Sequence, residues 1–250
     1  MLNYIRSELY RVTHTRPCYI MTAILIVGIL ALNITLHFWG GGADYYGHTS
    51  FSYLFSVSEP WIYLVCGAIV AALVYEGRSK SGSLKNTIAS GLSRTQIFFG
   101  QCLTALIVAT AMMVIVVTVW IASAELLLAH TDYWTLSDFL CSVAVAYPLA
   151  AASLISILPF FLLFRRDLTA IVSWLAIWNI VPSVFSILGL KVAWAARIAG
   201  WMPKNFLSFD SVIRWWQDPS ILEKALVSAL VGILVFSLIG VVSWRKRDLT

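Results

Sequence analysis

The sequence predicts an all-α membrane protein: six transmembrane helices, an N-terminal amphipathic interfacial helix and one short cytoplasmic helix. Three observations predict it. Of 250 residues, 60% are hydrophobic and only 12% charged, about half the charged share of a soluble domain, which leaves too little polar surface to cover a water-soluble globule. Six segments approach the roughly 20 apolar residues that a helix needs to cross a bilayer, and they are continuously apolar where barrel strands would alternate. The basic residues gather on one side of the resulting topology. Of 17 Lys and Arg, 12 lie near the two ends, in the segment after the second span, or at Arg165 and Arg166, so both termini are expected in the cytoplasm.

Leu2, Ile5, Leu9 and Val12 recur at spacings of three and four, with Arg6, Glu8 and Arg11 on other faces. That pattern predicts a helix lying in the inner interface over residues 1–16, with Ile5, Arg6, Leu9 and Arg11 as its elbow; a simple membrane anchor would have the same pattern. Arg16-Pro17 is expected to interrupt it, so that it meets the first span at an angle. The first span, Cys18 to Trp39, follows a basic stretch as a signal sequence would. Its apolar part is longer than a signal core and closes on no small-x-small cleavage site, so it reads as a retained helix.

The second span, Pro60 to Tyr75, is short. With Ser58 as N-cap and Pro60 in the first turn, the helix to Glu76 rises about 25 Å. Glu59 then caps the helix at the membrane edge, near the positive end of its dipole; a buried, ligand-binding Glu59 is the sharper alternative. Residues 76–96 follow as the one long polar stretch in the first half. Ser81 or Ser83 can cap a helix of about two turns, on which Leu84 and Ile88 share a face and Lys85 is a polar neighbour. Gly82 and Gly91 permit sharp entry and exit. Ser93 is placed to cap the third span, Ile97 to about Ile121. Arg94 sits at the dipole-disfavoured end of that helix, as an interface anchor or a partner for a carboxylate such as Glu76.

The remaining spans are Phe139 to Phe164, Leu168 to Leu190 and Ile221 to Trp244. Pro148, Pro159 and Pro182 are expected to kink the fourth and fifth. Asn179, a rare intramembrane amide, is expected to hydrogen-bond between helices in preference to touching a ligand. The outer connection, residues 191–220, carries Trp194, Trp201, Trp215 and Trp216 among scattered charges, the composition of a segment at a membrane surface. Glu59, Asn179 and Trp201 are the candidates for a ligand path or outer gate.

Cys18, Cys66, Cys102 and Cys141 have no C-x-x-C spacing, and the four His are scattered, so neither disulfides nor a metal site are predicted. No phosphate-loop pattern is present and no soluble stretch is long enough for a nucleotide-binding domain. If ATP drives this protein, another polypeptide binds it.

The run E-x5-G-x-L-K-N-x-I-x-x-G-L-S-R-x-x-I, from Glu76 to Ile97, resembles the signature of type-2 ATP-binding-cassette exporter permeases, especially the bacitracin- and lantibiotic-resistance subgroup. The similarity extends to the six-helix layout, to the interfacial helix NYIRSELYRV and to the basic tail WRKRDL. Gln101 departs from it, standing where many members carry Lys. The resemblance implies one permease domain over residues 1–250 in a bacterial cell membrane, with 76–96 a coupling helix that docks on a separate ATPase. Glu76, Gly82, Leu84, Lys85, Ile88, Gly91 and Arg94 would be its coupling residues. It further implies two ATPase subunits per complex that bind ATP and Mg, and a second permease half, identical or paralogous. The chain itself would hold no cofactor, catalyse no reaction and bind no nucleic acid. An ATP-independent membrane protein, either an ion-coupled carrier or a sensor and assembly factor, is the alternative. A carrier should place ionisable groups at mid-membrane, and none is evident within the spans.

Overall fold

The computed structural model describes residues 1–40, 45–58, 66–73, 75, 91–164, 167–206 and 217–246. Among them the chain is almost entirely helical, with no strand. Five helices are long and apolar enough to cross a membrane: Arg16–Trp39, Arg94–Leu127, Leu136–Leu163, Leu168–Gly189 and Pro219–Ser243. They match the first, third, fourth, fifth and sixth predicted spans. The second predicted span lies partly outside the described residues.

Helix α1 (Leu2–Thr13) buries Tyr4, Glu8 and Val12, a face rotated from the expected stripe: Leu2 is 79% exposed, while Ile5 and Leu9 are only partly buried. The rotation has two causes. The Tyr4 ring lies over Gly100, where any Cβ would collide with it. Glu8 is compensated by Arg11, whose Nη2 donates to Oε2 at 2.8 Å, so the carboxylate is not left unpaired on a packed face. The break after α1 also differs from expectation. It falls at His14 and Thr15; Thr15 is the N-cap of α2 (Arg16–Trp39), and Arg16 and Pro17 form its first turn, where a missing N–H is harmless.

A 3-10 turn (Tyr45–Gly47) leads into α3 (Thr49–Ser58), a helix not expected from the sequence. Ser58 is the last residue of this helix, and its expected role as cap of the second span lies outside the described residues. Residues 66–73 form a further helical segment, α4. Two residues of this part of the chain stack on α6 (Leu136–Leu163). Tyr53 stacks on Phe139 at 4.9 Å and Tyr75 on Phe161 at 5.1 Å. Both intervals, 53 to 75 and 139 to 161, are 22 residues, and on the continuous helix α6 that is about 33 Å. The two stacks thus lie about 33 Å apart along α6, with Tyr53 and Tyr75 following the same order as Phe139 and Phe161.

Helix α5 (Arg94–Leu127) starts where Ser93 was placed as cap, through a full capping box. The Gln96 amide donates to Ser93 Oγ at 3.2 Å and the Ser93 amide to Gln96 Oε1 at 3.0 Å. Thr135 and Asp138 cap α6 in the same way. Pro148 and Pro159 lie inside α6, and Pro182 inside α7 (Asp167–Gly189). Two short helices, α8 (Ala193–Ala199) and α9 (Pro203–Phe206), precede α10 (Pro219–Lys246).

The packing divides into two apolar clusters. One, at the α1 end, joins Tyr4, Val12, Tyr75, Phe98, Leu158, Phe161 and Trp174. The other, at the far end, joins Leu36, Tyr53, Trp134, Phe139, Ala146 and Ala229. Helix α6 runs through both, with α10 along its side.

Candidate ligand cavity and the predicted site residues

Helix α3 is seated by polar groups. Asn33, fully buried on α2, donates from Nδ2 to Ser123 Oγ on α5 at 2.7 Å and accepts from Ser52 Oγ on α3 at 2.7 Å. Trp120 Nε1 donates to the same Ser52 oxygen at 2.9 Å. Three helices thereby meet at one satisfied amide, an arrangement that fixes their register because each lost partner would leave a buried polar group unpaired. Nearer the far end, Tyr53 OH donates to Glu125 Oε1 at 2.6 Å, and His130 Nδ1 lies 3.1 Å from Glu125 Oε2. The turn before α3 is tied to the α5–α6 loop by Thr49 N to Ala129 O and Ala129 N to Gly47 O, both 2.9 Å.

Beside this clamp, α2 to α6 enclose a cavity of about 200 Å³. Its wall includes Met21, Met112 and Met113, with Phe55, Trp120 and Phe139. The hydroxyl and indole groups on the wall are already engaged. Ser56 Oγ donates to the Tyr53 carbonyl at 2.8 Å, Tyr147 OH pairs with Thr110 Oγ1 at 2.8 Å, and Trp120 Nε1 is held by Ser52. A chamber of this size with a wall that is almost wholly apolar favours an apolar group. Its three Met side chains can adapt to different shapes. Phe55, 46% exposed, stands at an open part of the wall.

The predicted site residues are only partly within the described structure. Glu59, Glu76, Gly82, Leu84, Lys85 and Ile88 lie outside the described residues. Gly91 has φ of 89°, a left-handed conformation suited to glycine, and it lies two residues before the Ser93 N-cap of α5. Arg94 is half-buried in the first turn of α5. Of the elbow residues, Ile5 and Leu9 pack against the α1-end cluster, Arg6 is exposed and Arg11 pairs with Glu8. Gln101 is 2% exposed, and its Nε2 finds no acceptor.

Asn179 does not bridge helices as expected. Its Nδ2 donates to Leu175 O one turn earlier in its own helix at 3.0 Å, so the amide donor is used within α7. Trp201 is 41% exposed, and its carbonyl accepts from Ser228 Oγ at 2.6 Å. All four cysteines are free, yet only Cys102 is buried; Cys141 is exposed and the other two are half-buried. No group of three metal-ligating side chains occurs among the described residues.

Sequence reading missed Asn33, Ser52 and Ser123. A signal was present in TSFSYLFSVS: Thr49, Ser52, Tyr53 and Ser56 recur at helical spacing, so one face of a short helix is polar. No family model matches the chain, and no curated protein does.

Proposed function

We propose that this chain is the membrane-spanning permease subunit of an ATP-driven exporter, moving an amphipathic or hydrophobic substrate such as a peptide antibiotic outward. The observation that carries this reading is the run from Glu76 to Ile97, with its resemblance to type-2 exporter permeases. Two features support it. Gly91 and the Ser93 capping box give the segment an abrupt, rigid junction with α5, so that a push on the segment would tilt a long helix. The apolar cavity between α2 and α6 suits a greasy portion of a substrate. ATP and Mg would be bound by two separate ATPase subunits, and a second permease half, identical or paralogous, would complete the complex in a bacterial cell membrane with both termini inside.

The test is Leu84→Asp, which places a charge in the apolar contact expected with the ATPase, at a cost on the order of 2–5 kcal/mol. Co-purification with candidate ATPases and substrate-stimulated hydrolysis in lipid vesicles are read out, with expression and oligomer size as controls. Loss of ATPase binding from a normally assembled membrane protein is expected. Unchanged binding and hydrolysis would return 76–96 to a basic loop that only sets orientation, and would favour the ATP-independent alternative.

A further inference from the structure

Residues 190–206, after α7, fold back along it. A Cβ on Gly189 would lie 2.8 Å from the Ala196 Cα, so α8 crosses the end of α7 at backbone contact. Lys204 on α9 then reaches further down the same helix: its Nζ donates to the Asn179 carbonyl at 3.2 Å and to Ser183 Oγ at 2.8 Å. Asn179 is ten residues before Gly189, about 15 Å along the axis. If α7 spans a bilayer core of about 30 Å, as its length and composition allow, the ammonium group lies near mid-depth. A second, independent contact gives a similar depth. The Trp201 carbonyl meets Ser228, nine residues into α10 and so about 13 Å from its start.

Both acceptors of Lys204 are neutral. An ammonium group has three N–H donors, and two are used. No carboxylate among the described residues pairs with Lys204. Charged groups at this depth pair with one another, with backbone carbonyls or with water, and the exposed Lys204 ammonium keeps one donor for such a partner. Beside it lies a gap whose wall includes Gly189, Leu190, Ala196 and Ala199, with Ser186 and Asn205 at its polar part. Asn205 Nδ2 is already given to the Ala199 carbonyl at 2.8 Å, which leaves Lys204 as the charged donor facing the gap.

We propose that the gap between α7 and the 193–206 hairpin is a binding site for an anionic amphiphile, in which Lys204 receives a phosphate oxygen and the apolar wall receives the adjoining chain. The site requires α7 to span the membrane but not ATP drive, so its failure and the failure of the exporter reading are separable. It also supplies what a scan of the spans for charges could not find, because the cation is delivered from a connection.

The experiment uses the full chain, without ATPase, in nanodiscs of phosphatidylcholine alone or with phosphatidylglycerol. Retained lipid is counted by native mass spectrometry and thermal midpoints are compared. Lys204→Gln should weaken retention of one phosphatidylglycerol about tenfold or more, as expected for a lost charged hydrogen bond, and abolish the difference in midpoint between the two discs. Lys204→Arg should keep both, and Arg197→Gln, an exposed cation on the same hairpin, should behave as wild type. Ser186→Leu, which crowds the gap from α7 with Lys204 intact, should lose the same lipid. Inorganic phosphate added to phosphatidylcholine discs separates the two sources: no effect on the midpoint fits an amphiphile, whereas full stabilisation by phosphate alone overturns the role of the apolar wall. Equal phosphatidylglycerol retention by wild type and Lys204→Gln, or equal loss in Arg197→Gln, overturns the site.

Discussion

Helices α6 and α7 are neighbours in sequence with almost the same mean hydropathy, 2.0 and 1.9, yet 67% of the best apolar window of α6 is buried and only 11% of that of α7. Hydropathy therefore does not decide which helix forms the core. The difference lies in side-chain size. The buried positions of α6 include Ser142, Ala146, Ala151, Ala152, Ser153 and Ser156, and α10 answers with Ala225 and Ala229. Small residues on both helices let backbones approach, and in a bilayer close packing, not hydrophobicity, favours association between helices. Helix α7 carries Val172, Ile177, Ile180, Val184 and Ile187 on exposed faces. It is held to α6 by buried Ala170 and Trp174, whose Nε1 donates to Ser156 Oγ at 2.7 Å.

If one anchor holds α7 while a whole seam holds α6, substitutions should rank accordingly. The largest effect is expected from Trp174→Ala, a side chain 1% exposed, with a loss of about 3–5 kcal/mol in reversible unfolding of the purified protein in bicelles. A loss near zero would show that α7 has other holds. On the seam, Ala152→Leu adds three carbons beside Gly232, where a Cβ built on the glycine would already lie 3.5 Å from Ala152 Cβ, and should cost about 1–3 kcal/mol. The comparison extends to α2, whose best window is 17% buried. Asn33→Ala removes its polar anchor, leaves the Ser52 hydroxyl without its acceptor, and should also cost about 1–3 kcal/mol. In a double-mutant cycle with Ser52→Ala, the loss should be strongly non-additive. Smallest of all, Val184→Leu on the exposed face of α7 should change stability by less than about 0.5 kcal/mol; a larger change would mean that this face is packed against protein.

The same distinction explains what could be read in the sequence. Span lengths follow from composition, and helix starts follow from local chemistry, so the five long helices and the Ser93 cap were legible. Which face packs was not, because it depends on partners. Leu2 and Glu8 exchanged expected places once Tyr4 settled over Gly100 and Arg11 neutralised Glu8. Helix α3 was hidden because its Ser and Tyr side chains look like loop chemistry until Asn33 and Trp120, from distant helices, satisfy them. The cavity was illegible for the same reason, since it belongs to no single segment. Lys204 was visible only as one cation in an outer connection; its depth appears when Gly189 and Ala196 bring the chain back along α7.

The paired stacks of Tyr53 on Phe139 and Tyr75 on Phe161 carry a consequence for biosynthesis. Parallel neighbours cannot form a tight hairpin with each other, and here 86 residues separate Tyr53 from Phe139. At about 5–20 residues per second, the ribosome needs roughly 4–17 seconds after making Tyr53 to supply its partner. Throughout that interval the Tyr53 ring must be sheltered by lipid or by the insertion machinery, and a nascent chain stalled before residue 139 should expose position 53 to crosslinkers that a completed chain, where Tyr53 is 1% exposed, excludes.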